Sequence, residues 1–574
     1  MAVLTRLRRS ENTVLIALAL VVGVLGGFGA IAFRRLVETA TWIFTGQADY
    51  AATTGHPAHP WLPWLGGFFV ILAPAVGGLL YGPLVQRFAR EARGHGVPEV
   101  MYAIHRRGGR IPARVAFVKA LASALTIGSG GSVGREGPIV QIGSALGSSL
   151  ARAARLDEGG VRMLVACGAA GGIAATFNAP IAGVFFAFEL LLGSLAARSL
   201  GAIVISAVTA SVIGRVFLGD EPFLVLPEFH VDHLAEYVLY VVLGVLAALV
   251  AVTFTRVLYK VEDWCDAVWR GPEWARPAAG GLLLGLLLFV LPQMYGVGYP
   301  VLEGAVLGRY AAWFLLVLLA AKVVATSLTI GIGGSGGVFA PSLFLGAMLG
   351  AAFGQGAAAL LPGLGLDAGA YALVGMAAVF AGASRAPLTA VIILFELTGE
   401  YTIILPLMLA VAVSTLLSGA ITRDSIYTLK LRRRGVDLAQ RADTRALAGA
   451  AVRDEMTPAP PALRTGLTVD DALAALVAAR RHALPVVDQG AYLGVVTSAA
   501  AAGAVTGDDD AADVTVAQLV ERRAPVAPDD ALDAVLDPLL EDDGADGLAV
   551  VERGALVGWL HQDAVLRRLA AAHR

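Results

Sequence analysis

The sequence contains very little cysteine and little charge. Its 574 residues include only Cys167 and Cys265, too few for a disulfide framework or a cysteine-rich metal site. Asp, Glu, Lys and Arg together make up 15% of the chain. In soluble domains about a quarter of the residues are charged. The composition therefore excludes an ordinary soluble globular protein.

The apolar segments also lack grouped catalytic side chains. Glu136, Glu189 and Glu396 stand alone in them, and no HExxH spacing occurs in the chain. A membrane enzyme, such as an intramembrane hydrolase, would need paired acids or histidine clusters. We therefore expect no enzymatic activity, no metal and no required cofactor. A membrane enzyme remains the alternative functional class.

Apolar residues dominate instead. They make up 57% of the chain, and the mean hydropathy is +0.71. Some stretches reach the roughly 20 residues that a helix needs to cross a bilayer, and others are short or interrupted by Gly and Pro. This pattern predicts an all-α polytopic membrane protein with broken helices. The stretches are Thr13–Phe33, Gly66–Leu80, Arg162–Leu192, Tyr237–Val252, Ala278–Leu291 and Trp313–Ile330.

Charge is distributed unevenly along the chain. Residues 451–574 hold 20 acidic and 10 basic residues, a net charge of −10, and because the whole chain carries −2, residues 1–450 carry +8. Basic clusters flank the apolar part at residues 6–9 and 430–434. The positive-inside tendency then places both termini in the cytoplasm, which implies an even number of crossings of a cell (inner) membrane. We expect no nucleic-acid partner.

An internal repeat organises the apolar part. Residues 119–147 and 322–350 agree at 14 of 29 positions without gaps, at a spacing of 203. A second pair of segments, residues 179–190 and 386–397, matches at a spacing of 207. Two related halves, about residues 90–220 and 290–428, are therefore predicted. In transporters such halves are often inverted and hold the substrate where they meet.

The end of the chain differs in character. After a membrane domain at residues 1–434, residues 435–450 form a polar, Ala-rich linker, and residues 451–574 contain two similar β-α units, at about 451–505 and 514–574. The first unit has a helix pattern at Val469–Ala479, and the second at Ala531–Leu540. Each is followed by two strand patterns: Ala483–Val487 and Tyr492–Thr497, then Leu548–Val551 and Ala555–Leu560.

Three Gly-rich loops precede a proline that starts a helix. They are Gly94–Pro98, Gly134–Pro138 and Gly337–Pro341. Proline suits the first turn of a helix, and the glycines before it let a ligand approach the backbone closely. The free N–H groups and the positive end of the helix dipole then favour an anion. The other interpretation is helix breaks with close-packing glycines.

Glu136 is the informative difference between the repeats, because its counterpart is Phe339. A lone carboxylate among anion-binding N–H groups competes with a permeant anion, and protonation would release the site. Glu136 is therefore predicted to be a gate or a proton carrier. A capping carboxylate is the structural alternative.

Together these motifs resemble the CLC family of chloride channels and transporters. GHGVPEV, GREGPIVQIG and GGVFAPS match its three signature loops in order, and the resemblance covers about residues 15–430. It implies a homodimer with about 18 helical segments per subunit in two inverted halves. It also implies chloride transport, either through a voltage-gated or uncoupled channel-like pathway or by antiport of two chloride ions for one proton. The C-terminal units resemble a pair of cystathionine-β-synthase (CBS) domains.

The resemblance also carries roles to individual residues. Glu136 matches the external gating glutamate, Val338 and Phe339 would offer backbone N–H groups, and the Tyr427 hydroxyl would bind the same ion. At His95 the family commonly has Ser; a neutral imidazole could still donate to the anion, or the ring could point away. The predicted anion-binding set is His95, Gly96, Arg135, Gly137, Val338, Phe339 and Tyr427.

Two further positions depart from the family pattern. Proton-coupled members carry a second glutamate where this chain has Leu190, which cannot relay a proton; some antiporters also lack it. In the CBS-like pair, the usual nucleotide site ends in Thr or Ser with Asp three residues later. Thr497 is followed at that distance by Ala500, and Asp563 comes one position early after His561. This argues against adenine nucleotide binding.

Overall fold

The computed structural model describes residues 2–53, 55, 57–193, 197–219, 233–436, 447, 449–506, 514–540 and 547–572. They form two compact units, the first ending at Val436. Within the described residues, the regular elements of the first unit are all helices, whereas the second unit combines helices with two β-hairpins. The predicted fold class, an all-α membrane part followed by an α/β part, is confirmed.

The helices of the first unit form two matching series followed by a single short helix, α17. The first series is α1 Ala2–Thr45, α2 Phe69–Phe88, α3 Val97–Arg106, α4 Ala113–Gly128, α5 Glu136–Ala153, α6 Glu158–Phe177, α7 Pro180–Phe186 and α8 Ala197–Leu218. The second is α9 Ala235–Val268, α10 Arg276–Val290, α11 Tyr299–Val306, α12 Ala312–Gly331, α13 Phe339–Leu360, α14 Ala368–Ser384, α15 Pro387–Thr398 and α16 Ile404–Ile421, before α17 Thr428–Arg433.

Packing repeats between the two series. Helix α1 contacts α4, α6 and α8, and its counterpart α9 contacts α12, α14 and α16. Helices α5 and α6 pack together, as do α13 and α14. Two counterpart pairs, α2 with α10 and α7 with α15, join the halves directly. The duplication therefore extends to α1 and α9, beyond the segments that the sequence identity marks.

A mutual pair of backbone hydrogen bonds lies at the centre of this arrangement. Gly134 N donates to Gly337 O at 2.8 Å, and Gly337 N donates to Gly134 O at 2.6 Å. The two glycines are counterparts at the repeat spacing of 203. A residue that exchanges identical contacts with its own counterpart lies on a two-fold relation between the halves.

Two further contacts are exchanged across the same relation. Ser335 N donates to Thr126 Oγ1, and Ser132 N donates to Thr329 Oγ1, each at 3.2 Å. Thr126 and Thr329 are counterparts, as are Ser132 and Ser335. Each glycine-rich stretch is therefore held by a helix of the opposite half.

Apolar length is consistent with a membrane location. Nine helices in the described residues are long and apolar enough to cross a bilayer. Three shorter apolar helices, Pro180–Leu192, Ala368–Ser384 and Pro387–Thr398, accompany them. Short helices with proline at the first turn are the broken elements that the Gly and Pro interruptions predict.

Small residues allow the helix pairs to approach closely. A Cβ added to Gly143 would overlap the carbonyl oxygen of Gly168, and in the other half a Cβ on Gly346 would overlap that of Gly375. Such close backbone contact replaces the hydrophobic driving force that is absent between helices in lipid.

The second unit consists of two related halves. One half has hairpin β1 Ala483–Asp488 with β2 Ala491–Thr497, and the other has β3 Gly547–Glu552 with β4 Ala555–His561. Both hairpins turn through two residues with positive φ, Gln489-Gly490 and Arg553-Gly554, as two-residue hairpin turns require. The helices are α18 Val452–Glu455, α19 Val469–Ala479, α20 Ser498–Thr506, α21 Val516–Leu519, α22 Leu536–Leu540 and α23 Gln562–Ala572.

The helix predicted at Ala531–Leu540 is wrong at its start. Helix α22 begins only at Leu536, because Ala531 pairs with Ala451 in an isolated bridge and Ala534 closes a turn on Ala531. Part of the predicted linker, residues 437–446 and 448, lies outside the described residues. Leu447 and Ala450, from its end, are buried in the core of the second unit.

The glycine contact between α13 and α14 gives a stability prediction. We expect Gly346→Ala to lower the thermal unfolding temperature of the detergent-solubilised protein, because the new methyl group must displace the backbone of Gly375. Overpacking of this kind costs about 1–3 kcal/mol. The measurement is a melting curve followed by intrinsic fluorescence.

Gly356→Ala in the same helix is the matched control. A Cβ at this exposed position meets nothing within 4 Å, so only the helix propensity of alanine changes, which favours the helix by up to about 1 kcal/mol. Equal melting temperatures for the two variants would show that the close glycine contact does not stabilise the pair.

Candidate functional site

The three Gly-rich loops meet at one place. Gly94 N donates to Gly334 O at 3.0 Å, and Gly336 N donates to Gly94 O at 3.2 Å. The loop containing Gly94 is therefore paired with the glycine-rich residues just before the third loop, and Gly337 of the third loop is in turn paired with Gly134 of the second. Backbone hydrogen bonds thus bring the starts of α3, α5 and α13 together.

Only glycine fits at the contact between these loops. A Cβ on Gly137 would overlap the carbonyl oxygen of His95, and a Cβ on Gly96 would lie 2.6 Å from the carbonyl oxygen of Gly137. Gly96 also has φ +85° at the N-cap of α3, a conformation that favours glycine. The structure thus gives Gly96 and Gly137 a packing role, in which they allow two helix N-termini to touch, and their anion-binding role stays a prediction.

The Glu136 carboxylate lies at the N-terminus of α13. The side chain is 1% exposed. Oε2 accepts from Ala340 N, in the first turn of α13, at 3.4 Å, and Oε1 accepts from Tyr299 Oη at 2.5 Å. The free N–H groups and helix dipole of α13 favour negative charge at this point. A carboxylate of the chain itself therefore occupies a position suited to an anion.

Sequence reasoning missed Tyr299. It belongs to a fourth Gly-rich loop, Gly296-Val297-Gly298-Tyr299-Pro300, which is the counterpart of Gly94–Pro98 at a spacing of 202. Extending the repeat comparison upstream of Lys119 and Lys322 would have found it, because the Gly-x-Gly-x-Pro pattern occurs in both halves.

Two buried lysines hold the first and fourth loops. Lys119 Nζ donates to Ala92 O at 2.9 Å and Gly94 O at 2.7 Å. Its counterpart Lys322 Nζ donates to Val297 O at 3.0 Å and to Ser132 Oγ at 2.9 Å. Both side chains are fully buried. Their ammonium groups therefore fix the carbonyl groups of these two loops.

The remaining predicted residues lie around the same helix starts. Arg135 is the N-cap of α5, with its guanidinium 5.2 Å from the centroid of the Tyr299 ring. Val338 is the buried N-cap of α13. Phe339 packs against Phe380, with ring centroids 4.3 Å apart.

The His95 ring is buried, and no group in the described part of the chain forms a hydrogen bond with it. It is 4% exposed, and neither Nδ1 nor Nε2 has a partner within the described residues. Burying an imidazole without hydrogen bonds costs free energy. This is consistent with a binding site in which the ring nitrogen atoms contact a bound anion.

Tyr427 lies at the N-cap of α17, and α17 packs against α3. Its backbone N–H donates to Ser425 Oγ at 3.2 Å. Ion pairs fix α17: Lys430 with Glu262, and Arg434 with Glu99 on α3, at 2.5 Å. Helix α17 is thereby attached to α3, which starts at the first loop.

Glu189 and Glu396 each cap the start of a helix in the opposite half, and we call them exchanged caps. Glu189, after α7, accepts from Leu388 N at 3.0 Å and Thr389 N at 2.8 Å at the start of α15. Glu396, in α15, accepts from Ile181 N at 3.0 Å and Ala182 N at 2.7 Å at the start of α7. Both carboxylates thus stabilise helix N-termini of the opposite half. Leu190 is buried in a short π-helical segment, Ala187–Leu192.

In the second unit, the Thr497 hydroxyl donates to Glu521 Oε1 at 3.0 Å. The hydrogen bond from Arg523 holds the pKa of the Glu521 carboxyl below its usual range, so Thr497 faces a negative charge at neutral pH. Asp563 lies in the first turn of α23. A carboxylate beside Thr497 disfavours a nucleotide phosphate there.

Known proteins match both units. The family model described as voltage gated chloride channel matches residues 77–419, and the CBS domain model matches residues 452–506. A putative chloride channel protein, ClcB-like, from Ralstonia nicotianae is 36% identical over 423 residues, which cover 73% of this chain and 97% of that protein. The H⁺/Cl⁻ exchange transporter ClcA of Vibrio parahaemolyticus is 34% identical over 442 residues, covering 74% and 91%.

Solved structures agree. A slow cyanobacterial Cl⁻/H⁺ antiporter aligns with a TM-score of 0.65 and 28% identity, covering 74% of this chain and 98% of that one. A eukaryotic CLC transporter shares the fold over 96% of this chain and 97% of its own, with a TM-score of 0.62 and 21% identity. The resemblance seen in the loop motifs is thus confirmed: the chain is an integral membrane protein of the CLC (voltage gated chloride channel) family, with a C-terminal CBS pair.

Proposed function

We propose that this protein moves chloride across a membrane through a pathway gated by Glu136. The observation that carries the proposal is the Glu136 carboxylate at the N-terminus of α13, where Ala340 N donates to it. A permeant anion and this carboxylate compete for the same N–H groups. Protonation weakens the hold of the helix on the side chain, which then leaves the position to the anion.

The surrounding groups suit a weakly bound monovalent anion. Backbone N–H groups at Val338 and Phe339, the His95 ring and the Tyr427 hydroxyl would provide partial positive charge. The ammonium groups of Lys119 and Lys322 donate to backbone carbonyl groups instead. Binding must remain weak enough for release if ions are to be conducted. The relatives named for chloride support chloride as the ion.

We further propose that chloride flux is not obligatorily coupled to protons. Leu190 stands where coupled members carry a glutamate, and it is a buried aliphatic side chain. The neighbouring Glu189 accepts hydrogen bonds from Leu388 N, Thr389 N and Thr389 Oγ1, which hold its carboxylate at the start of α15. Coupled exchange is the second candidate, and the exchange activity named for the Vibrio relative favours it.

Membership of the family also supports a proposal for the assembly. We propose a homodimer in a cell (inner) membrane with both termini in the cytoplasm, and a CBS pair that modulates flux without nucleotide. The basic clusters at residues 6–9 and 430–434 support this orientation.

Glu136→Gln tests the gate. We expect faster chloride flux at neutral pH and loss of the activation by acid, because a neutral amide cannot act as a tethered anion or be protonated. Chloride efflux from proteoliposomes, measured with a chloride electrode at several pH values, gives the answer. Glu396→Gln is the control, since this capping glutamate should affect stability while leaving the pH profile unchanged. A wild-type pH profile in Glu136→Gln would refute the gate assignment.

Proton coupling has its own test. With a chloride gradient as the only driving force, we expect chloride flux from proteoliposomes without a matching pH change. External chloride and external pH are recorded together. An uncoupler added afterwards verifies that the measurement can detect proton movement. Sustained uphill proton movement that stops in Glu136→Gln would establish coupled exchange instead.

A further inference from the structure

Among the positions at which the duplicated loops differ, two stand out because they bring side chains from opposite halves into contact. Val97 in the first Gly-x-Gly-x-Pro loop corresponds to Tyr299 in the fourth, and Phe339 corresponds to Glu136. In each pair, one half has an apolar side chain and the other a polar one. The two polar side chains come from opposite halves, and they share the hydrogen bond from Tyr299 Oη to Glu136 Oε1 at 2.5 Å.

The fourth loop fixes the Tyr299 hydroxyl. Lys322 Nζ binds the carbonyl groups of Gly296 and Val297, at 3.4 and 3.0 Å. Gly298 has φ +89°, and a Cβ there would lie 3.1 Å from the Phe344 ring. Tyr299 is the first residue of α11, directly after this turn. The hydroxyl is therefore held by the loop backbone at a defined position beside α13.

We propose that Tyr299 positions the gate: its hydroxyl holds the ionised Glu136 carboxylate in the blocking place and thereby sets the proton concentration at which the pathway opens. This rests on the proposed function of Glu136. A hydroxyl donor stabilises a carboxylate more than a carboxylic acid. The bond therefore favours the closed, ionised state, and its loss favours protonation and opening.

Other groups also act on the carboxylate. Arg135 on the same helix, Lys322 on α12 and Tyr427 at α17 interact electrostatically with Glu136. On α13, the contact is the Ala340 N–H group. The Tyr299 hydroxyl also interacts with the Arg135 side chain. Tyr299→Phe keeps the aromatic ring and every charged group, and it removes only the hydroxyl with its contacts to Glu136 and Arg135.

The experiment is the pH profile of chloride flux in Tyr299→Phe proteoliposomes. We expect the midpoint of activation to move to higher pH by about one unit, a tenfold change in proton concentration, as expected for a hydrogen bond to a charged group. Incorporating 3-fluorotyrosine at position 299, a stronger donor of similar shape, should move the midpoint to lower pH. These opposite shifts would not arise from a merely structural role.

Tyr295→Phe is the matched control. Tyr295 is buried, and its hydroxyl donates to a backbone carbonyl, Gly128 O, at 2.7 Å. Tyr295→Phe likewise removes a tyrosine hydroxyl, at a position close to Tyr299 in the chain, but should keep the wild-type midpoint of activation. Equal shifts in Tyr295→Phe and Tyr299→Phe would overturn the positioning role.

The double variant Tyr299→Phe/Glu136→Gln separates the two claims. If the hydroxyl acts through the carboxylate, Tyr299→Phe has no further effect on the pH profile once Glu136 is Gln. If Glu136→Gln alone changes nothing, the proposed gate fails. If Glu136→Gln abolishes the pH dependence while Tyr299→Phe and the fluorinated residue leave the midpoint unchanged, only the role of Tyr299 fails.

Discussion

The mutual hydrogen bonds between Gly134 and Gly337 are the constraint on which the site depends. They force the starts of α5 and α13 together across the two-fold relation of the halves. Because helix N-termini carry partial positive charge, placing several of them at one point is unfavourable unless negative charge lies between them. The close contact at Gly137 admits no Cβ. A negative charge between the helix starts can therefore lie only next to their backbone.

The protein supplies the missing charge itself through Glu136, and the duplication shows how this site became asymmetric. Its counterpart Phe339 packs against Phe380, so the equivalent position of the second half is apolar. The exchanged caps Glu189 and Glu396, by contrast, remained the same in both halves. We infer that conserved contacts between the halves maintain the scaffold, whereas the positions that diverged adapt one shared site to gating.

The sequence was sufficient for the broad organisation and for the loops. Apolar length, Gly–Pro helix starts and the repeat predicted an all-α membrane part, and the hairpins of the second unit were placed within a residue or so of their ends. The loop that holds Tyr299 could have been found from the repeat, but its bond to Glu136 could not, because the two residues are 163 positions apart and belong to opposite halves. The start of α22 was misplaced because helix propensity at Ala531 is overridden by its bridge to Ala451.

The central claim is that chloride and the Glu136 carboxylate compete for the N-terminus of α13. The most direct test adds chloride to the purified protein in weakly buffered detergent solution and measures proton uptake. We predict that the wild-type protein takes up protons as chloride binds, because the displaced carboxylate loses its hydrogen-bond donors, and that Glu136→Gln binds chloride without proton uptake. Equal proton uptake by both proteins, or none by either while chloride binds, would contradict the claim.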